Sequence, residues 1–265
     1  MTVDLATIRR PHTGTWLADS LAIAGRNLLN YRRVPSMTVA ATVQPIMTVL
    51  LFFFIFGGAI LVPGHTYVNF LIPGILGWSV IIGAQGTATG LATDVENGHI
   101  QRMWSLPIGR SVFLTGRILA DTLRNVFVMI IILALGFALG FRPDGGVGPI
   151  IAGIALIVVF GFAASWLFAT IGLSVGDPDA ASAATFPPMI LLVFSSSAFV
   201  PASSVAAGWL RPYVAHLPLS AVLTAARGLM LGGASASSII EALAWTVGLL
   251  IVFVATALRA YRRTA

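Results

Sequence analysis

The sequence predicts an all-α integral membrane protein with six transmembrane helices, and three observations predict it. Hydrophobic residues make up 57% of the 265 and charged residues only 9%, with a mean hydropathy of +0.94. Soluble domains carry about 25% charge, so lipid must be the main solvent of this chain. From Val34 to Thr93 no Asp, Glu, Lys or Arg occurs, which leaves room for two spans of about 20 residues and a turn. Beyond one compact polar stretch, Thr93 to Arg110, the apolar pattern resumes at Val112. No separate soluble domain is visible. The whole of 1–265 reads as one transmembrane domain, made of an N-terminal segment 1–33, a bundle 34–258 and a tail 259–265.

Taken in order, the first 33 residues hold Arg9, Arg10, Arg26, Arg32 and Arg33. They lack the short apolar core and small-residue cleavage site of a secretory signal, so the segment is expected to persist in the mature protein. Leu17, Leu21, Ala24, Leu28 and Tyr31 repeat at helical spacing, while Arg26, Asn30 and Arg33 share another face. That pattern predicts an amphipathic helix lying along the membrane surface, with Thr15 as N-cap and Asp19 near the positive end of its dipole.

Uninterrupted apolar length then places spans near Met37–Leu61, Val68–Ala92, Val112–Gly140, Pro149–Leu173, Ala183–Val200 and Ile239–Leu258. An even number puts both termini on one side of the membrane. The inward set then contains the N-terminal arginines together with Arg102, Arg110, Arg117, Arg259, Arg262 and Arg263. Only Arg142, Arg211 and Arg227 fall outward, so the positive-inside rule makes both ends cytoplasmic. Arg124 lies within the third span, where Asp121 offers a partner, lying four residues after Arg117 and three before Arg124 on the same helical face. These three read as a structural ion-pair group near the cytoplasmic edge.

Between the fifth and sixth spans, Pro201–Gly233 forms the longest outward connection. Leu219, Val222, Leu223, Ala226 and Met230 make an apolar stripe on a helix that Pro218 starts and Gly232 ends. Such a helix is too short to cross, so a re-entrant or interfacial hairpin is expected, with Arg227 paired to Glu241. Three G-x-x-x-G pairs, Gly86 with Gly90, Gly136 with Gly140 and Gly172 with Gly176, mark places of close helix contact.

The polar stretch Thr93–Arg110 is expected to form a short cytoplasmic helix, capped by Thr93 or Asp94, loosened at Gly98, running through Ser105 and ended by Pro107. It exposes Glu96, Asn97, Gln101 and Arg102, while Ile100, Met103, Trp104 and Leu106 supply an apolar face. That face suits docking into a groove on a partner, or resting on lipid headgroups.

Several chemistries are excluded or unsupported. Every basic residue is Arg and none is Lys, so a G-x-x-x-x-G-K-[ST] phosphate loop is impossible in this chain. Cysteine is absent, and His65 and His216 have no second ligand at metal spacing, so no metal site is expected. Asp177 and Asp179 flank Pro178 in what reads as a solvated turn. No paired carboxylates, Ser-His-Asp set or HExxH motif suggests catalysis. Gln44 and Gln85 are the polar side chains deepest in the first two spans, and Phe52, Phe53, Phe54, Phe194 and Phe199 can line an aromatic route for an amphipath or face lipid.

Glu96-Asn97-Gly98-His99-Ile100-Gln101-Arg102, followed by Leu106-Pro107-Ile108-Gly109-Arg110, resembles the E-x-G-T-I-E-R…L…P-x-x-R segment of type-2 ABC export permeases, especially the daunorubicin-resistance type. Phe70 to Leu76, Ser195 to Pro201, and Leu217-Pro218-Leu219 running to Arg227-Gly228-Leu229 agree with that resemblance and follow in the expected order. The resemblance implies a permease subunit whose cytoplasmic loop, with Glu96, Asn97, Gly98, Gln101, Arg102, Leu106, Pro107 and Arg110, is a coupling helix seated on an ABC ATPase. Two ATPases holding ATP and Mg, and a second permease, identical or homologous, would complete the unit. It also implies outward movement of an amphipathic drug, lipid or lipid-linked glycan. No cofactor is implied in the chain itself, the remaining partner is membrane lipid, and nucleic acid has no part. His99 and Gln101 depart from the usual small hydroxylic and acidic residues of the motif. The competing reading is an ion- or proton-coupled secondary transporter, which normally needs ionisable groups or broken helices near the membrane midplane; apart from Asp121, placed near an edge, these spans offer no buried carboxylate.

Overall fold

The computed structural model describes residues 35–58, 60, 62, 64–104, 110–201 and 207–263, with side chains described from 43 onward except at 103, 104, 110 and 111. The expected interfacial helix of the N-terminal segment lies outside the described residues, as do Leu106 and Pro107. Every regular element among the described residues is helical. In chain order these are α1 (Pro35–Leu51), which continues into a π turn at Phe52–Phe56, α2 (Tyr67–Glu96), α3 (His99–Trp104) and α4 (Arg110–Ala138). They are followed by α5 (Val147–Val175), α6 (Pro178–Phe194), α7 (Leu210–His216), α8 (Pro218–Leu231) and α9 (Ala236–Arg263).

The expected count of six crossings is not reproduced by length and composition among these residues. Four helices, α2, α4, α5 and α9, are long and apolar enough to cross, or five if α7 and α8, bent by 71°, form one broken span. The bounds of the predicted fifth span are the clearest correction. Asp177 caps α6, accepting a 2.7 Å bond from the Ala180 amide, and Pro178 occupies the first turn, so the helix begins before Ala183. It stops at Phe194 after 17 residues. Residues 195–201 then turn back into the protein instead of extending the helix. Ser196–Phe199 is therefore buried loop, which hydropathy alone reads as more helix. The connection between α6 and α9 does hold a bent pair of helices, with Leu217 as the bend and Pro218 opening α8, a geometry that suits one broken span as well as the expected re-entrant hairpin.

α2 is the axis of the bundle. In its most apolar window 94% of residues are buried, against 11% for α9, so α2 meets protein on all sides while α9 lies at the periphery. Small residues permit this. Gly161 of α5 faces the Val80 side chain, Gly172 faces the backbone of Ala88, and Gly77 faces Leu223 of α8, positions at which a Cβ would collide. Of the three expected glycine pairs, Gly172 thus makes a helix crossing, whereas Gly176 and Gly140 have positive φ and end their helices.

The core divides in two. The larger cluster joins α2, α4, α5, α6 and α8 around Ile72, Leu76, Phe160 and Leu223. The smaller gathers Leu91, Ile100, Phe113, Leu114, Trp166, Leu173 and Tyr261 where α2, α5 and α9 end and α4 begins. This second cluster is the platform for the polar stretch singled out in the sequence.

Candidate functional site

α2 does not stop at Thr93. Thr93 Oγ1 donates back to the Thr89 carbonyl, as an interior helix residue does, and the helix runs on to Glu96. Neither Thr93 nor Asp94 is therefore the N-cap of the next helix. The break falls at Asn97-Gly98. Asn97 caps α2 through its backbone N–H to Thr93 and Val95, and Gly98 takes φ +67°. This is left-handed backbone that Gly reaches without a Cβ penalty. α3 begins at once with His99, its first turn closed by Arg102 N–H to the Gly98 carbonyl at 3.2 Å. The result is a tight elbow.

The elbow is fixed on one side and open on the other. Ile100 is fully buried among Leu91, Phe113 and Leu114, which anchors α3 to the platform. Glu96, Asn97, His99, Gln101 and Arg102 are exposed. Of the other residues assigned to this element, Arg110 opens α4, and Leu106 and Pro107 lie outside the described residues.

Below the elbow, a polar seam joins α2 to α4. Arg117 donates through Nη1 to Asp94 Oδ2, and its Nε lies 4.0 Å from Asp121 Oδ2. Asp121, only 2% exposed, accepts a 2.8 Å bond from Thr87 Oγ1. Arg124 donates to the Gly83 carbonyl at 3.1 Å and to Asn125 Oδ1 at 3.4 Å. His99 Nδ1 sits 3.3 Å from Asp94 Oδ1. The expected group Arg117, Asp121 and Arg124 is thus embedded in a longer network that reaches the elbow itself through Asp94 and the exposed His99.

Glycines make the seam possible. A Cβ on Gly90 would strike the Arg117 guanidinium, one on Gly83 would strike the Asn125 amide, and Gly86 lies beside Arg124. The Gly86–Gly90 pair therefore cradles side chains from α4; it does not bring two backbones together. Charges here are sequestered from water and paired, which is the condition under which removing one partner is strongly destabilising.

At the opposite end a second polar knot forms around Arg227 of α8. Its Nε donates to the Phe70 carbonyl (3.1 Å), Nη1 to Ser197 Oγ (3.3 Å) and Nη2 to the Ala198 carbonyl (3.0 Å). The guanidinium carbon stands 3.6 Å from the Phe70 ring centroid, a cation–π contact. Gly74 lies against Arg227 and Ala198 where no side chain fits, and the Ser220 hydroxyl accepts the Ser197 amide at 2.9 Å. The expected Arg227–Glu241 pair does not form, because Glu241 meets His216 at 2.6 Å while Arg227 turns inward to backbone carbonyls. The three stretches Phe70–Leu76, Ser195–Pro201 and Leu217–Leu229 are therefore one structural unit.

Beside the knot, Phe199 stacks on Phe52 at 4.3 Å and meets Trp78 and Phe194 at 6.3 and 6.1 Å. Three of the expected route residues, Phe52, Phe194 and Phe199, come together there. Phe53 instead meets Phe54 edge-on at 5.0 Å. Gln44 is exposed on α1 and Gln85 half-buried in α2, and neither side chain makes a hydrogen bond among the described residues. Trp78 was missed in the sequence; its one signal is its place a turn beyond Gly74 on the busiest helix.

Comparison with known proteins agrees with this arrangement. Residues 20–231 match the family model described as ABC-2 type transporter. The daunorubicin resistance ABC transporter permease protein DrrB1 of Streptomyces coeruleorubidus is 31% identical over 258 residues, covering 97% of this chain and 91% of that protein. The probable doxorubicin resistance ABC transporter permease protein DrrC of Mycobacterium tuberculosis is 29% identical over 268 residues, covering 99% and 96%. A chain with several helices apolar and long enough to cross a membrane, aligned along nearly its whole length with such permeases, is a multi-pass membrane permease subunit. The chain belongs to the ABC-2 type transporter family, among permeases of the drug-resistance type.

Proposed function

We propose that this chain is the membrane subunit of an ATP-driven exporter and that the elbow at Asn97–Trp104 seats on a separate ATPase. The observation that carries this reading is the Arg117–Asp94 pair. It ties together, at the base of the elbow, the two long helices that flank it. A force applied to α3 reaches α2 through the short Gly98 turn and α4 through Arg117. From α2, the axis of the bundle, it reaches α5, α6 and α8. Rigid-body movement of a docked ATPase would thus be converted into a change of access, provided the partner contacts differ between its ATP-bound and empty states.

In this reading Glu96, Asn97, Gln101 and Arg102 face the ATPase, with Leu106, Pro107 and Arg110 completing the contact, and the termini lie on the same cytoplasmic side. Two ATPase copies holding ATP and Mg and a second permease, identical or homologous, make the working unit. The Phe52–Phe199–Trp78 cluster offers an amphipathic cargo an aromatic surface, and the names of the relatives support a drug as that cargo. Lipids and lipid-linked glycans remain chemically suited to the same surface. A secondary transporter is less well supported, since Asp121 is tied into the seam by Thr87 and Arg117.

The test is to co-express the chain with its ATPase and replace Glu96→Ala or Arg102→Ala. Export should fall sharply while the isolated ATPase keeps its hydrolysis rate. Normal export in both variants contradicts the assignment.

A further inference from the structure

At the elbow end of the bundle, α5 and α9 enclose a polar cleft outside the elbow, the seam and the aromatic cluster. On α9, Thr256, Arg259 and Arg263 follow at i, i+3 and i+7, and on α5, Thr170, Leu173 and Ser174 follow at i, i+3 and i+4. These spacings put each set on one helical face, and the two faces line a cavity of about 400 Å³. The opposite face of α9 is locked into the platform through fully buried Ala257 and Tyr261, which fixes the arginines toward the cleft. Across its floor Thr170 Oγ1 and Thr256 Oγ1 stand 3.3 Å apart.

The chemistry of the cleft is cationic. Its hydroxyls already donate to carbonyls of their own helices: Thr170 to Trp166 (2.9 Å), Ser174 to Thr170 (2.7 Å) and Thr256 to Val252 (3.1 Å). Among the described residues Arg259 and Arg263 make no hydrogen bond or ion pair, and no carboxylate of those residues lines the cavity. Each guanidinium offers five N–H donors in a planar fork suited to phosphate oxygens. The carboxyl ends of α5 and α9 oppose an anion with only a fraction of a charge each, against two full positive charges.

A lipid fits better than a free anion. Val252 lies one turn before Thr256 on the same stripe and is 54% exposed, with Ile251 beside it at 67%. The cleft therefore opens directly onto apolar surface. We propose that this cleft is a site for an anionic phospholipid, its phosphodiester held by Arg259 and Arg263 and an acyl chain laid along α9 beside Val252. Such a lipid bridges α9, the peripheral helix, to α5. The site does not depend on which face of the membrane the elbow occupies or on any ATPase.

The experiment uses the full-length chain in detergent micelles, titrated with short-chain phosphatidylglycerol and followed by native mass spectrometry and thermal unfolding. Saturable binding that raises the melting temperature is expected, with affinity falling roughly tenfold or more in Arg259→Gln/Arg263→Gln, as the loss of two basic contacts to an anionic headgroup implies. Each single variant, Arg259→Gln or Arg263→Gln, should bind more weakly than wild type, whereas Arg262→Gln, which removes one charge from an exposed position outside the cleft, should bind like wild type. Unchanged binding in the double variant, an equal loss in Arg262→Gln, or full displacement of the lipid by equimolar inorganic phosphate would each overturn the proposal. The first two point to diffuse surface charge and the third to a free-anion site.

Discussion

Two arginine centres, half-buried Arg117 and buried Arg227, join helices of this protein by opposite means. At the elbow end, Arg117 meets carboxylates, Asp94 and Asp121, and the seam opens toward exposed side chains. At the far end Arg227 meets two backbone carbonyls, a serine hydroxyl and the face of Phe70. A carboxylate can be exchanged or drawn away by a partner, whereas a backbone carbonyl moves only with its helix. In the proposed mechanism the first centre transmits displacement, whereas the second fixes three segments in one place.

The sharpest way to break this contrast is Arg227→Ala. It leaves the acceptors at Phe70, Ser197 and Ala198 without their donor and opens a cavity, so destabilisation of about 2–4 kcal/mol is expected, visible as lost yield and a lower melting temperature. Arg227→Lys keeps the charge but loses the fork and should fall between wild type and Ala. At the elbow end, Asp94→Asn and Arg117→Gln should each lower the melting temperature and cut export by the protein that still folds. Combined, the two substitutions should show a coupling of about 0.5–3 kcal/mol in a double-mutant cycle; strict additivity would mean that the pair does not act as a staple.

Glycine substitutions sharpen the same comparison with smaller effects. Gly172→Ala sets a Cβ against the Ala88 backbone and must push α5 off α2, an overpacking penalty of about 1–3 kcal/mol. Gly90→Ala meets only the movable end of Arg117 and should be milder in stability, but it should disturb export because it dislodges the seam. The smallest effect is expected for Glu241→Gln. It cuts an exposed contact to His216, which typically changes stability by less than about 1 kcal/mol.

Much of the elbow was legible in the sequence because water leaves a compositional mark: Glu96, Asn97, Gln101 and Arg102 interrupt an apolar chain, and Gly98 names the break. The position of the helix boundary was not, because Thr93 and Asp94 look like caps, and only the tertiary contact of Asp94 with Arg117 explains why α2 runs through them. The four long crossing helices were readable from apolar length. α6 was misjudged because a core-facing loop and a lipid-facing helix share the same hydropathy. Arg227 was misassigned for a related reason. Its acceptors are carbonyls that every residue carries, so no sequence signal distinguishes them, and the nearby Glu241 looked like the natural partner. The Gly86–Gly90 pair was recognised as a place of close approach, but which side chains approach is a property of α4.

The central claim, that the elbow is the surface gripped by an ATPase, has a direct measurement. The chain contains no cysteine, so Gln101→Cys, exposed on α3, provides one addressable thiol. In inside-out vesicles its reaction with a water-soluble maleimide should be slow while the ATPase is bound and fast after the ATPase is stripped away. Equal labelling in both conditions, or labelling from outside intact cells, would contradict the account.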